Sequence, residues 1–114
     1  MDTYIDKWSS KLTNMSDEDR QDLKAKHNTV YEFNIKDEGQ TSTFHIDLKR
    51  DGTIYKGKQY RADVLVTMSN HDFVQLAKGN LHAQKAYMSG KIKIKGNIMG
   101  VTKMDDLIKH LNED

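Results

Sequence analysis

The sequence predicts an α+β domain in which helices cover an antiparallel sheet, and three observations carry that expectation. Apolar residues recur at helical spacing before Asn28, at a period of two from Thr29 to Met68, and at helical spacing again in the last third. A strictly alternating run, Lys91-Ile92-Lys93-Ile94-Lys95, interrupts that last third as a strand with one wet and one dry face. The chain has 114 residues, enough for one buried core and too few for two.

Tyr4, Ile5, Trp8, Leu12 and Met15 fall on one stripe of a first amphipathic helix. Ser16-Asp17-Glu18-Asp19 supplies an N-cap and an acidic first turn for a second helix to about His27, mostly solvated beyond Leu23 and Ala25. Tyr31, Phe33 and Ile35 alternate with Val30, Glu32 and Asn34 in a half-buried strand. Asp37-Glu38-Gly39-Gln40 is turn chemistry, after which Phe44, Ile46 and Leu48 alternate with His45 and Asp47. Asp51-Gly52 predicts a two-residue hairpin into a short third strand at 53–56, because both residues tolerate positive φ.

Ala62 to Met68 reads as the fourth strand, with Leu65 opposite Val64, Val66 and Met68 and therefore cover expected on both faces. Ser69, with Asp72 three residues on, opens a short helix carrying Phe73, Leu76 and Ala77 and ending at Gly79. Asn80 is expected to cap another short helix with Leu81, Tyr87 and Met88, ending at Gly90. After the lysine strand, a final helix from about Ile98 to Leu111 places Ile98, Val101, Met104, Leu107, Ile108 and Leu111 on one face.

Eighteen basic and seventeen acidic side chains give a net charge of +1, so no overall attraction to nucleic acid or to a strongly anionic membrane is expected. Without Cys there is no disulfide, thiolate metal site or thiol nucleophile, which fits an intracellular location. No apolar run approaches the roughly 20 residues of a membrane span, and the N-terminus lacks a signal pattern. Asn112-Glu113-Asp114 departs from a Ser-Lys-Leu peroxisomal address, which makes the cytoplasm the expected location and the peroxisome the alternative.

Catalytic readings find little support. His27, His45, His71, His82 and His110 are dispersed; His45 and Asp47 share a strand face but have no third ligand at a recognisable spacing. A solvent-facing polar strand edge is the better reading of that pair. There is no Gly-x-Ser-x-Gly elbow, and glycines 90, 96 and 100 do not form a phosphate loop. No enzyme activity, cofactor or metal is therefore expected. The lysine strand lacks interleaved aromatics, so a charged sheet edge is preferred to nucleic-acid binding. Met68, Met88, Met99 and Met104 suit an ordinary core or a variable apolar ligand, and helical spacing by itself favours the core.

The run Ala86-Tyr87-Met88-Ser89-Gly90, the lysine strand and Gly96-Asn97-Ile98-Met99-Gly100 together resemble the sterol carrier protein 2 (SCP2) family. Ala62 to Ser69, Asp72-Phe73, Ala77-Lys78-Gly79, Tyr31 to Ile35 and Phe44 to Lys49 resemble further family segments in the same order. Leu81-His82 replaces the common Asn-Pro, and Ile98 stands as an insertion in Gly-Asn-x-Gly. The resemblance implies one SCP2-like domain over 1–114, with a helical N-terminus at 1–28 and sheet and lid helices at 29–111. It implies a five-stranded antiparallel sheet covered by helices, with an apolar tunnel that binds fatty acids, fatty acyl-CoA, sterols or phospholipids without chemistry. Ligand would exchange through transient membrane contact.

Carried over by position, the tunnel wall comprises Phe33, Ile35, Phe44, Ile46, Val66 and Met68 on the sheet. Phe73, Leu76, Met88, Ile94, Met99 and Met104 complete it. An anionic head needs a cation at the mouth, for which Arg20 is a candidate by charge and region, although a solvated surface side chain is the better reading of its place on the polar second helix. The alternative is the same fold with its core filled, serving as an interaction module or a homodimer.

Overall fold

The structure is a computed structural model that describes residues 2–57, 61–97 and 100–112. Helices α1 (Asp2–Thr13) and α2 (Asp17–His27) precede strands β1 (Val30–Asp37), β2 (Gln40–Asp47), β3 (Thr53–Lys56) and β4 (Val64–Ser69). Helices α3 (Asn70–Ala77) and α4 (Ala83–Met88), strand β5 (Ile92–Gly96) and helix α5 (Gly100–Asn112) complete the chain. The caps at Ser16 and Ser69 form as the sequence predicts, each hydroxyl accepting from the backbone N–H three residues on, at 3.1 Å.

The five strands form one sheet in the order β3-β2-β1-β4-β5. Three of its pairings are antiparallel; the fourth, β1 with β4, is parallel, a direction that alternation alone does not encode. Asp63 fixes that pairing. Its carboxylate accepts from the Val30 N–H at 3.0 Å, and its own N–H donates to the Val30 carbonyl at 2.9 Å, setting Tyr31 beside Val64. Gly96 at φ +97° closes the neighbouring β5 pairing, where any side chain would run into the Asp63 carbonyl.

The β1–β2 turn is a two-residue hairpin with Glu38 and Gly39 both at positive φ. The expected second hairpin at Asp51-Gly52 is instead a five-residue connection, 48–52, in which only Gly52 has positive φ. The Asp47 carboxylate organises it by accepting from the N–H groups of Lys49 (2.8 Å) and Arg50 (2.9 Å).

Helices cover the face that carries Tyr31, Phe33, Ile35, Phe44, Ile46, Val66 and Met68, all at most 3% exposed. The opposite face is also partly closed, as Leu65 suggested. There Glu32 and His45 sit side by side, 3.0 Å apart, with Asn34 donating to Glu32 and Thr43 to Asn34. His45 and Asp47 are fully buried, which corrects the expectation of a solvent-facing edge: the first meets Glu32 and the second anchors the 48–52 turn. Among the described residues no three His, Asp or Glu side chains are placed to share a metal ion.

Candidate functional site

Nine of the expected wall residues meet in one cluster between the sheet and the helices: Phe33, Ile35, Phe44, Ile46, Val66, Met68, Phe73, Leu76 and Met104. Aromatic rings fill its centre. Phe33 and Phe44, opposite each other on β1 and β2, stack at 4.8 Å with 3° between their planes. Phe73 of α3 meets Phe44 edge-on at 5.7 Å and Trp8 of α1 at 5.5 Å. Ile94 is half-buried against the cluster. Met99 lies outside the described residues.

Met88 does not join the cluster: it is 78% exposed. Helix α4 buries Ala83 and Ala86, one turn apart, and Met88 two residues later points to the opposite side. The small alanines let α4 lie close against α5 and β5. Its expected cap is also different. Asn80 bonds back to Gln75, and α4 is capped from α5 by the Asp105 carboxylate, which accepts from the N–H groups of Ala83 and Gln84.

Beside the cluster, between the end of α3, the 79–82 connection, α4 and α5, lies a groove of about 560 Å³. Leu76, Leu81 and Ile108 are its apolar lining residues, Leu81 half-buried and the other two buried, and Leu76 belongs at the same time to the core cluster. Asn112 ties the walls together: its Nδ2 donates to the Leu76 carbonyl at 3.4 Å, and its Oδ1 accepts from Trp8 Nε1 at 3.0 Å. The sequence marked Leu81 and Ile108 only as helix-face residues, and nothing in their spacing signals that they line an opening.

The charges around the groove are unevenly engaged. Asp105 is occupied as the α4 cap. Asp106 pairs with Lys26 at 2.9 Å, and that hydrogen bond holds its carboxyl below the usual carboxylate range. Behind it His27 is buried, with Nε2 3.6 Å from Asp106 and Nδ1 3.2 Å from the Tyr31 hydroxyl. Burial pushes the imidazole down more strongly than Asp106 pulls it up, so His27 is neutral at pH 7. Lys85 and Lys109 line the groove and form no ion pair among the described residues, which leaves two cations at its rim.

Arg20 does not line this groove. Its guanidinium donates to the carbonyls of Leu12 (2.7 Å), Thr13 (3.0 Å) and Met15 (3.2 Å), and contacts Asp17 at 3.4 Å. Helix C-termini leave such carbonyls unsatisfied, and Arg20 closes them while its stem packs against Gly52. Arg20→Ala is therefore expected to cost about 1–3 kcal/mol of stability in urea unfolding, with fatty-acid binding unchanged. Weaker binding at unchanged stability would restore a head-group role.

The chain matches the SCP-2 sterol transfer family over residues 9–109. It is 37% identical over 89 residues to a protein of Yarrowia lipolytica named "Fatty acid-binding protein", covering 75% of this chain and 69% of that one. It is 41% identical over 85 residues to the rat "Hydroxysteroid dehydrogenase-like protein 2", covering 73% of this chain but 16% of that protein. The structure superposes on the apo form of sterol carrier protein 2 from Yarrowia lipolytica with a TM-score of 0.87 at 31% identity, covering 96% of this chain and 90% of that one. A match across nearly the whole helix–sheet–helix order, with the packed sheet face and its covering helices in place, makes the chain a member of the SCP-2 sterol transfer family.

Proposed function

We propose that this chain binds one long-chain lipid at a time, a fatty acid in the first instance, and carries it between membranes without altering it. The observation that carries this reading is the groove lined by Leu76, Leu81 and Ile108, with Leu76 shared between its lining and the interior cluster. Its volume falls within the roughly 300–1,000 Å³ typical of small-molecule sites. The acyl chain lies along these residues and reaches inward past Met104, whose unbranched side chain re-packs readily. Lys85 and Lys109 are placed to meet a carboxylate or a phosphate at the rim. Fatty acyl-CoA, sterols and phospholipids are the other ligands the family reading admits.

Each methylene removed from water contributes about 0.8 kcal/mol, and the lost freedom of ligand and side chains offsets much of the total. The balance suits a carrier that must also release. No residue is assigned a catalytic step, and the dehydrogenase name belongs to a relative most of which has no counterpart in this chain. The proposed domain is the whole of 1–114, acting in the cytoplasm or the peroxisome.

A second reading draws on the same interior. The stacked Phe33–Phe44 pair, edge-capped by Phe73, is a complete core, as an SCP2-fold interaction or homodimer module would have. The two readings separate in one assay. A fluorescent fatty acid titrated into the protein is expected to bind saturably at one site and to be displaced by unlabelled oleate. No saturable binding by folded protein, with a stable dimer in solution, would establish the second reading.

A further inference from the structure

One buried titratable side chain takes no part in the function proposed above. His27, at the end of α2, is 1% exposed and stands between α5 and β1. Its Nδ1 lies 3.2 Å from the hydroxyl of Tyr31, which burial pushes up, so that the hydroxyl stays protonated and donates to the ring. Nε2 then carries the ring hydrogen and faces Asp106 of α5 at 3.6 Å, too far for a hydrogen bond. It is a buried polar atom with no hydrogen-bond partner among the described residues, an arrangement that folded proteins rarely keep without a reason. Lys26 engages Asp106 from the other side at 2.9 Å, and Asp19, Asp22 and His110 line the cleft outside it. Lys103 of α5 adds a further positive charge.

Two adjacent residues therefore hold α5 to its neighbours: Asp105 caps α4, and Asp106 meets the end of α2. Both carboxylates line the groove, as do Ile108 and Lys109 one turn further on. The end of α2 stays with the sheet, because the Thr29 hydroxyl donates to the His27 carbonyl at 2.6 Å on the way into β1. A separation at His27 accordingly moves α5, and with it one wall of the groove.

We infer that His27 is an acid-operated latch: protonation of its ring loosens α5 from α2 and β1, opens the groove and speeds release of the ligand. The added proton goes to Nδ1, so the Tyr31 hydroxyl must turn from donor to acceptor and its hydrogen loses its partner. The new charge also stands where water does not reach. Burial opposes it more strongly than Asp106 favours it, and Lys26 and Lys103 oppose it as well. In the closed state the ring is thus held below its ordinary value of 6.5, to which it returns once α5 moves away. The closed state has its full advantage above that value and loses it as pH falls, because the open state binds the extra proton. Asp106, held below the usual carboxylate range, stays ionised throughout. The effect on release rests on the carrier function proposed above; the movement of α5 does not.

Two measurements test the latch, one with ligand and one without. Release of a fluorescent fatty acid to excess albumin should quicken by up to about tenfold between about pH 7.5 and about pH 5.5. In the ligand-free protein, amide hydrogen exchange, corrected for its intrinsic pH dependence, should show α5 less protected than β1, with the protection of α5 falling by a similar factor. His27→Phe with Tyr31→Phe, which replaces the bonded pair by apolar rings of similar shape, should remove both responses. His110→Gln removes the other titratable ring beside Asp106 and should leave both in place. Should the double variant fail to fold, His27→Asn supplies a group that does not titrate and whose oxygen still accepts from Tyr31. Effects of pH on any other variant are read against the parent protein at the same pH.

A response that survives in the His27 variants, or α5 and β1 exchanging together at both pH values, would overturn the latch. Release independent of pH, in a protein that binds fatty acid saturably, removes the latch and leaves the carrier function standing. Loss of α5 protection in acid, in a protein that takes up no fatty acid at either pH, removes the carrier function and leaves the latch.

Discussion

Phe44→Ala is expected to lower stability by about 3–5 kcal/mol, a large part of the roughly 5–15 kcal/mol that holds a domain of this size. Phe44 is 1% exposed and is contacted from two sides, by the Phe33 ring in parallel and by the Phe73 edge. Removing it takes away the transfer term and both aromatic contacts, and leaves a cavity. The cavity cannot easily close, because Phe33 is held by the β1–β2 and β1–β4 ladders and Phe73 by α3. Urea unfolding should show a large fall in midpoint at unchanged slope. A loss below about 1 kcal/mol would mean that the interior is loosely packed and able to collapse. The same variant bears on the proposed ligand path, since space opened beside Phe73 should raise affinity for longer or branched acyl chains relative to palmitate.

The fold was legible in the sequence where a local rule governs it. Ser16 and Ser69 fix helix starts through their own hydroxyls, and alternation in Tyr31–Ile35 and Phe44–Leu48 tells which side chains face inward. Strand direction is not local. The parallel β1–β4 pair depends on Asp63 meeting Val30, 33 residues away, and no periodicity reports such a meeting. The same limit applies to caps supplied from afar: Asn80 had the chemistry to cap α4, but Asp105 reaches it from α5. Charge and region mark Arg20 as a head-group candidate, whereas the carbonyls that take it up, of Leu12, Thr13 and Met15, come from the end of α1 and the turn after it. The sequence found the inward-facing apolar residues of the cluster and gave no sign of the groove beside it. An inward-facing residue is recognised by being apolar at the strand or helix period, whereas a groove arises where the 79–82 connection, α4 and α5 leave Leu81 half-covered, and that depends on how two helices are hung.

Leu81→Asp is expected to weaken fatty-acid binding about 100-fold, the loss of a buried leucine's contribution compounded by a carboxylate set against the acyl chain. Leu81 suits the experiment because it lines the groove while only half-buried, so its substitution does not hollow the core. Leu81→Ala should weaken binding roughly tenfold, and the order Leu, Ala, Asp separates apolar contact from charge. Raising the pH cannot relieve the Asp variant, since its carboxylate is already ionised at neutrality, but moving toward pH 4 should recover part of the affinity as the carboxyl takes up a proton. Binding within about twofold of the parent for both variants, with unfolding midpoints unchanged, would take the ligand out of this groove. The acyl chain would then have to lie wholly between the sheet and α3, displacing the Phe73 ring. In that event Phe44→Ala would be the variant that changes affinity, and the pair of experiments places the lipid on one side of Leu76 or the other.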